Sequence, residues 1–315
     1  MKKTATIIVT FNAVRNNWIY KCLDSLLNST LETEIIVVDN DSKDETVAII
    51  KEKYPSVKLI EAKENLGFGK ANNRGIEEAL KNGAEYFFLL NQDAWVEPDT
   101  IEKLYLQISN SPEFGILSPL HLTGDGEKLD WNFEMSSSYK FCPALCSDFI
   151  LGKNTDKIYE TLFVCAAAWL ISKDCLRKVG GFNPTFYHYV EDDNYIHRAK
   201  FKGIKAGIYP EVKMYHDREN RPFEAQFWNE EYVSKNKYLM NILNPSNKLS
   251  VENVIKHLRI SLLKMILKGN RKSAKQIKSE LNYFNKERKS LEQNLKTSIE
   301  NDFAFLKYRE ESPNN

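Results

Sequence analysis

EIIVVDNDSKD, residues 34–44, runs four consecutive Ile and Val straight into a cluster of acids and an amide. An apolar run without polar alternation predicts a strand covered on both faces, here Glu34–Asp39. Helical spacing follows over Lys43–Lys53. The same succession repeats on either side. Thr4–Thr10 is a β-branched run and Trp18–Leu27 has helical spacing. Val57–Glu61 predicts a third strand, Gly69–Lys81 a helix and Tyr86–Leu90 a fourth strand. This βαβαβαβ order predicts an α/β fold on a doubly wound, mostly parallel sheet flanked by helices. Ligands of such sheets sit beyond the carboxyl ends of the strands. The polar clusters Thr10-Phe11-Asn12, Asp39-Asn40-Asp41 and Asn91-Gln92-Asp93 all fall there.

Further along, Leu122–Glu160 carries Gly124, Gly126 and a Ser run at 136–138, and reads as a long loop or β-excursion. Phe163–Ser172 is apolar and rich in small residues. A helix is expected from Glu191 to about Lys202, a strand over Lys205–His216, and an amphipathic aromatic helix over Phe223–Leu243. Composition shifts after Pro245. We place a boundary near 245, with a catalytic domain over 1–245 and a basic, amphipathic helical extension over 246–315.

With 315 residues, 42% of them apolar, the chain has material for a real core, and a net charge of +1 gives no reason to expect a nucleic-acid partner. The five cysteines form no CxxC pair, which suggests reduced, mostly buried thiols and a cytoplasmic protein. No apolar run reaches the length of a membrane-spanning helix. The N-terminal MKKTATIIVTFNA reads as a first buried strand rather than a signal peptide.

Each motif has a chemical and a structural reading. Asn91-Gln92-Asp93 ends an apolar strand with two oxygen donors two residues apart. Such a pair suits a divalent cation shared with a diphosphate, or an Asx-turn. Asp39 is placed to accept hydrogen bonds from a base or ribose, and the adjoining Asp41 or Ser42 to cap a helix. Asn65-Leu66-Gly67-Phe68-Gly69 brings two glycines to a helix start, a setting for close backbone approach to an anion or for a plain turn. Glu191-Asp192-Asp193 combines a general-base reading with simple favourable placement at a helix N-terminus. A lone His216 is a ligand or a satisfied core histidine.

Taken in order, TIIVTFNA, IIVVDNDSKD, NLGFGKANNRGI, FFLLNQDA, GGFNPTFYHYVEDDNYIHRAKFKGIKAGIYP and MYH resemble the family 2 glycosyltransferases of the GT-A fold. Within that family the chain is most similar to the rhamnosyltransferase-like bacterial enzymes, over about residues 4–245. The resemblance implies an inverting, metal-dependent hexosyltransferase of cell-surface polysaccharide synthesis, using Mn2+ or Mg2+. Its donor is a nucleotide sugar (UDP- or dTDP-linked, dTDP-rhamnose by analogy) and its acceptor a hydroxyl of a glycan or lipid-linked molecule. Thr10, Phe11, Asn12, Asp39, Asn65, Gly67, Phe68, Asn91, Gln92 and Trp169 are implied in nucleotide-sugar binding. Asp93 and His216 are implied in metal binding, and Asp192 in catalysis as the base, with Glu191 beside it. Two positions depart from the family pattern. Asn91 stands first in the DxD-like element, and Asn194 replaces the last acid of the acidic run while Arg198 is kept. Arg218 and Arg221 follow His216, either as stabilisers of the leaving group or as a solvated basic loop.

Residues 251–295 join an apolar helical face to Lys and Arg. They suit peripheral contact with the inner face of the cytoplasmic membrane, or packing on the body or a homodimer. Two rival functions remain. A nucleotidyltransferase calls for a Gly-rich basic loop after the first strand, where TFNAVRNN stands. A non-catalytic nucleotide-sugar-binding or scaffold protein is the other alternative, although the carboxylates at Asp93 and Asp192 are present.

Overall fold

The computed structural model describes residues 1–221 and 225–310. Its first half alternates β1 (Thr4–Thr10), α1 (Trp18–Leu27), β2 (Glu34–Asp39), α2 (Thr46–Lys53), β3 (Lys58–Glu61), α3 (Phe68–Lys81) and β4 (Tyr86–Asn91). There follow β5 (Ala94–Val96), α4 (Thr100–Asn110), β6 (Phe114–Thr123), α5 (Trp131–Ser137), α6 (Pro143–Ile150), β7 (Tyr159–Thr161), β8 (Ala168–Ser172) and α7 (Lys173–Val179). The chain then passes through α8 (Glu191–Phe201), β9 (Lys205–His216), α9 (Glu230–Ile242), α10 (Val251–Leu267) and α11 (Arg271–Glu300).

One sheet organises these elements, in the order β3-β2-β1-β4-β8-β6-β9-β5, with β7 also on β9. The β3-β2-β1-β4 half is wholly parallel, as the sequence leads one to expect. The other half is mixed: β8 runs antiparallel to β4 and β6, β9 is parallel to β6, and β5 and β7 are antiparallel to β9. The unbroken apolar runs are explained by two cores. Ile7, Ile36, Phe87 and Leu89 point into one, and Ile8, Val37, Phe88 and Leu90 into the other. Helix α3 lies close on β1 because Gly75 has no Cβ; one would sit 2.4 Å from Ile7 Cγ2.

The segment 122–160 departs from expectation by containing two short helices. Asp130 caps α5 through Oδ1, accepting from Asn132 N (2.9 Å) and Phe133 N (3.1 Å), and Pro143 opens α6. The helix expected over Phe223–Leu243 begins at Glu230, after a 3-10 turn at Ala225–Phe227; residues 223 and 224 of that expectation lie outside the described ones. Cys22, Cys142, Cys165 and Cys175 are buried thiols and Cys146 is partly exposed, all five free.

A third core joins Phe186, Leu239, Ile242 and Leu243 to Val251, Val254, Ile255 and Leu258 of α10 and Phe284 and Leu291 of α11. After α11 the chain returns to the body. Phe303 N donates to Arg177 O, and Gly181 N to Ala304 O, each at 2.8 Å. No helix among the described residues is long and apolar enough to cross a membrane.

Candidate active site

The carboxyl ends of β1, β2 and β4 converge as the topology requires. Register pairs Thr10 with Asp39, and Val9 with Asn91. Asp39 is engaged at both oxygens: Oδ1 accepts from Thr10 Oγ1 (3.0 Å) and Ser42 Oγ (2.6 Å), and Oδ2 from Ser42 N (3.0 Å). Asn12, in the left-handed region at φ 52°, accepts from Lys43 N at 2.8 Å. Gln92 clamps the backbone of Phe11, accepting from its N (2.7 Å) and donating to its O (3.1 Å). The exposed Phe11 ring is thereby held at the strand end. Asn65 Oδ1 accepts from Asn40 Nδ2 and Gly67 N, each at 2.9 Å, and Asn40 Oδ1 accepts from Leu66 N at 2.7 Å. Asn40 is the buried organiser of that loop, and its signal was its place beside Asp39. Gly67 has φ +78°, and a Cβ there would stand 2.1 Å from the carbonyl oxygen of Tyr187. The glycine thus allows the loop to touch the segment that precedes the acidic run.

The pairing of β5 with β9 sets Ala94 opposite His216 and so brings Asp93 beside it. Asp93 Oδ1 lies 3.4 Å from His216 Nε2. On the other side of the ring, Nδ1 faces Asp130 Oδ2 at 3.1 Å. All three side chains are at most 2% exposed. Two guanidiniums close this buried column. Arg221 donates through Nε to Asp93 Oδ2, and through Nη2 to Asp93 Oδ1 (2.6 Å) and His216 Nε2 (2.8 Å). Arg218 Nε donates to Asp130 Oδ2 at 3.1 Å. Against the burial that opposes ionisation, the Arg221 guanidinium holds the Asp93 carboxyl well below the usual carboxylate range. Burial likewise opposes ionisation of Asp130, and His216 and Arg218 hold its carboxyl low.

The acceptance of Arg221 Nη2 by Nε2 leaves the ring proton on Nδ1, toward Asp130. The Arg221 donation therefore sets the tautomer; the Asp130 carboxylate lies 3.1 Å behind Nδ1, and the lone pair of the outer nitrogen faces the cationic side. Asp93 and Nε2 therefore form a converging oxygen–nitrogen pair that already receives a positive charge, which is the chemistry a divalent ion needs. Among the described residues no group of three or more His, Cys, Asp or Glu is arranged as a metal site, so further positions on an ion would fall to phosphate or water. Asp130 lies in the segment read as irregular. Its one sequence signal was the capping pattern ahead of Phe133.

The acidic run begins α8, entered through Tyr189 and Val190 at φ 63° and 71°. For a β-branched valine that conformation is strained, as backbone at functional sites often is. Asp192 and Asp193 line a cavity of about 350 Å3 with Tyr189, Phe227, Trp228 and Tyr232. Asp192 Oδ1 accepts from Asp193 N (3.0 Å), and Oδ2 from Ala166 N (3.4 Å). Burial pushes the Asp192 carboxyl up, while these backbone N–H groups and Arg218 draw it down. Burial, and then the charge of Asp192, push Glu191 well above its ordinary value and Asp193 up to about 7. Glu191 itself is buried.

Two further residues of the site lie in the interior. The Trp169 indole, on the interior strand β8, is wholly buried and stacked on Phe182 at 6.2 Å. Asn194, in place of the family's acid, is structural. Its Oδ1 accepts from Arg198 Nε and its Nδ2 donates to Leu243 O, both at 3.0 Å. Arg198 is satisfied otherwise by Val179 O (2.5 Å) and Gly181 O (2.7 Å).

A doubly wound half-sheet continued by a mixed half, with the acid–histidine pair at its edge, is the GT-A fold. The chain belongs to glycosyltransferase family 2, whose pattern it matches over residues 6–180. It is 26% identical over 225 residues to the dTDP-rhamnosyl transferase RfbF of Shigella flexneri, covering 67% of each chain. It is 23% identical over 218 residues to the N-acetylglucosaminyl-diphospho-decaprenol L-rhamnosyltransferase of Mycobacterium tuberculosis, covering 61% of this chain and 70% of that one. Glycosyltransferase GlyA of Streptococcus pneumoniae is 33% identical over 109 residues, 34% of this chain and 15% of GlyA. The chain spans 15%, 25% and 62% of the length of three such relatives. Among solved structures, TarS 1-349 of S. aureus with UDP superposes with a TM-score of 0.54 at 16% identity, over 84% of this chain and 74% of that one. The mannosyltransferase PcManGT of Pyrobaculum calidifontis, with GDP-Man and Mn2+, gives 0.53 at 17%, over 77% and 62%.

Proposed function

We propose that the protein is an inverting glycosyltransferase of bacterial cell-surface polysaccharide synthesis. It moves a sugar from a UDP- or dTDP-linked donor, with dTDP-rhamnose the first to test, to a hydroxyl of a glycan or lipid-linked acceptor. The observation that carries this reading is the convergence of Asp93 and His216 on the Arg221 guanidinium, with Asp130 behind the histidine, in a family 2 chain. The relatives named as rhamnosyltransferases favour the donor class.

Thr10, Phe11, Asn12 and Asp39 make the nucleoside site, with Phe11 stacking on the base. The loop Asn65-Gly67-Phe68 lies along the donor, and Asn91 and Gln92 hold the strand ends in place. Asp93 and His216 hold Mn2+ or Mg2+, which when bound neutralises charge on the diphosphate. Arg218 and Arg221 serve the same leaving group from the protein side. Asp192 accepts the acceptor's hydroxyl proton as that oxygen bonds to the anomeric carbon and the bond from that carbon to the diphosphate oxygen breaks. Glu191 and Asp193, protonated more readily, leave the negative charge on Asp192. Residues 1–245 form the catalytic unit and 246–315 the extension, in a protein working in the cytoplasm at the membrane's inner face.

Asp192→Asn tests the roles. Donor binding should persist while transfer falls by about a hundredfold or more, the usual scale for loss of a general base. Transfer at the wild-type rate would remove Asp192 from the mechanism. Wild-type donor binding without transfer to any acceptor would make the protein a non-catalytic nucleotide-sugar binder.

A further inference from the structure

Burial on α10 stops half-way along the helix, but its apolar sequence continues. Val251, Val254, Ile255 and Leu258 fill the third core. Beyond them Ile260, Leu263, Ile266 and Leu267 are 54% to 86% exposed. Their spacing of three and four places them on one stripe. The chain turns at Gly269, φ +69°, and returns as α11, so the stripe ends at the tip of a helical hairpin. From residue 253 to 279 the sequence has eight Lys and Arg and no Asp or Glu. Lys264, Lys268, Arg271 and Lys275 are exposed around the tip. An apolar stripe whose own hairpin carries cations and no acids from 253 to 279 fits an anionic surface with an apolar interior.

The tip also lies next to the site. Near the start of α11, Ser279 Oγ donates to Glu231 at 2.7 Å, and Lys272 Nζ lies 3.9 Å from Glu230. These glutamates begin α9, and the turns that follow, with Tyr232, Val233, Asn236 and Met240, line the cavity beside Asp192.

We propose that the α10–α11 tip docks on an anionic lipid bilayer, with the apolar stripe among the acyl chains and the cations on the head groups. The cavity beside Asp192 then faces an acceptor anchored in the same bilayer. This last step rests on the glycosyltransferase reading; the docking does not. A second copy is the poorer occupant, because pairing the stripes would bring two sets of eight cations together.

The full chain is sedimented with vesicles of phosphatidylcholine alone, or of phosphatidylcholine with phosphatidylglycerol, without donor or acceptor. Binding is expected to the anionic vesicles and to weaken with salt. Each Lys or Arg near the surface contributes roughly fivefold to the partition, so K264Q/K268Q/R271Q/K275Q should lower it at least about a hundredfold. I260S/L263S/I266S/L267S should abolish it as well. Both variants should keep the wild-type melting temperature and nucleotide-sugar affinity, which separates failure to dock from failure of the site. Absence of binding, equal binding to both vesicle types, or a dimer that the serine variant dissociates in light scattering would overturn the proposal.

Discussion

Replacing Arg221 by alanine should make the protein a better cation binder. The guanidinium spans Asp93 and His216 through contacts to both carboxylate oxygens and to Nε2. A divalent ion at those atoms must displace it. Hydrogen bonds to charged groups are worth about 1.5–3 kcal/mol, so removing the competitor should tighten Mn2+ binding by roughly ten- to a hundredfold. Without added metal the same change leaves Asp93 buried and unpaired, and should cost about 2–4 kcal/mol of stability, a little below the range for breaking a buried ion pair because Arg221 is partly exposed. Mn2+ should then restore the loss, since a ligand of the folded state alone stabilises it. Free Mn2+ followed by electron paramagnetic resonance, without donor, gives the affinity, and melts with and without metal give the linkage. Unchanged or weaker Mn2+ binding in Arg221→Ala, with an unchanged melt, would refute the placement of the cation at Asp93 and His216.

Other outcomes follow from the same contacts. Asn73→Ala removes a two-way clamp on Phe182, whose N donates to Asn73 Oδ1 (2.7 Å) and whose O accepts from Nδ2 (2.8 Å); urea unfolding should show a loss of about 2–4 kcal/mol for two buried groups left unpaired. Gly67→Ala forces a Cβ onto the Tyr187 carbonyl at a left-handed φ, and isothermal titration should show donor affinity falling by about tenfold or more. Glu191 has a raised pKa in the fold, so the folded protein binds that proton more tightly than the unfolded chain does. Its stabilising contribution is complete below the unfolded carboxyl pKa and is lost as pH rises through the folded value. Glu191→Gln should therefore raise the melting temperature relative to wild type at about pH 8 and change it least at about pH 4; an offset that does not vary with pH would contradict this ionisation.

The parallel half of the sheet was legible because β2 and β4 are unbroken apolar runs and β1 a β-branched one, each ending in polar residues, and Thr10, Asp39 and Asn91 mark the ends in both sequence and structure. The helix Thr100–Asn110 does carry a helical stripe, Ile101, Leu104, Tyr105 and Ile108, which a reading centred on the polar strand ends passes over, whereas glycines and serines in 124–138 read as loop. Asp130 was hidden there: its role arises when the chain folds back at Thr123–Lys128 and sets it against His216, a pairing no local pattern encodes. The burial of Trp169 was not legible for another reason, since an aromatic among small residues has the same local appearance at a ligand or in a core. Asn194 was visible as a departure from the family's acid. Its reason, a bridge between Arg198 and Leu243, depends on a contact with a distant part of the chain.

Asp93 and His216, as proposed, hold a cation for a nucleotide-sugar diphosphate. The direct measurement is the binding of UDP-, dTDP- and GDP-sugars with Mn2+, for wild type and Asp93→Ala. One donor should bind in the presence of metal, lose that binding when metal is chelated, and fail to bind Asp93→Ala. Equal binding by wild type and Asp93→Ala, or no binding of any donor to wild type with metal present, would contradict the account.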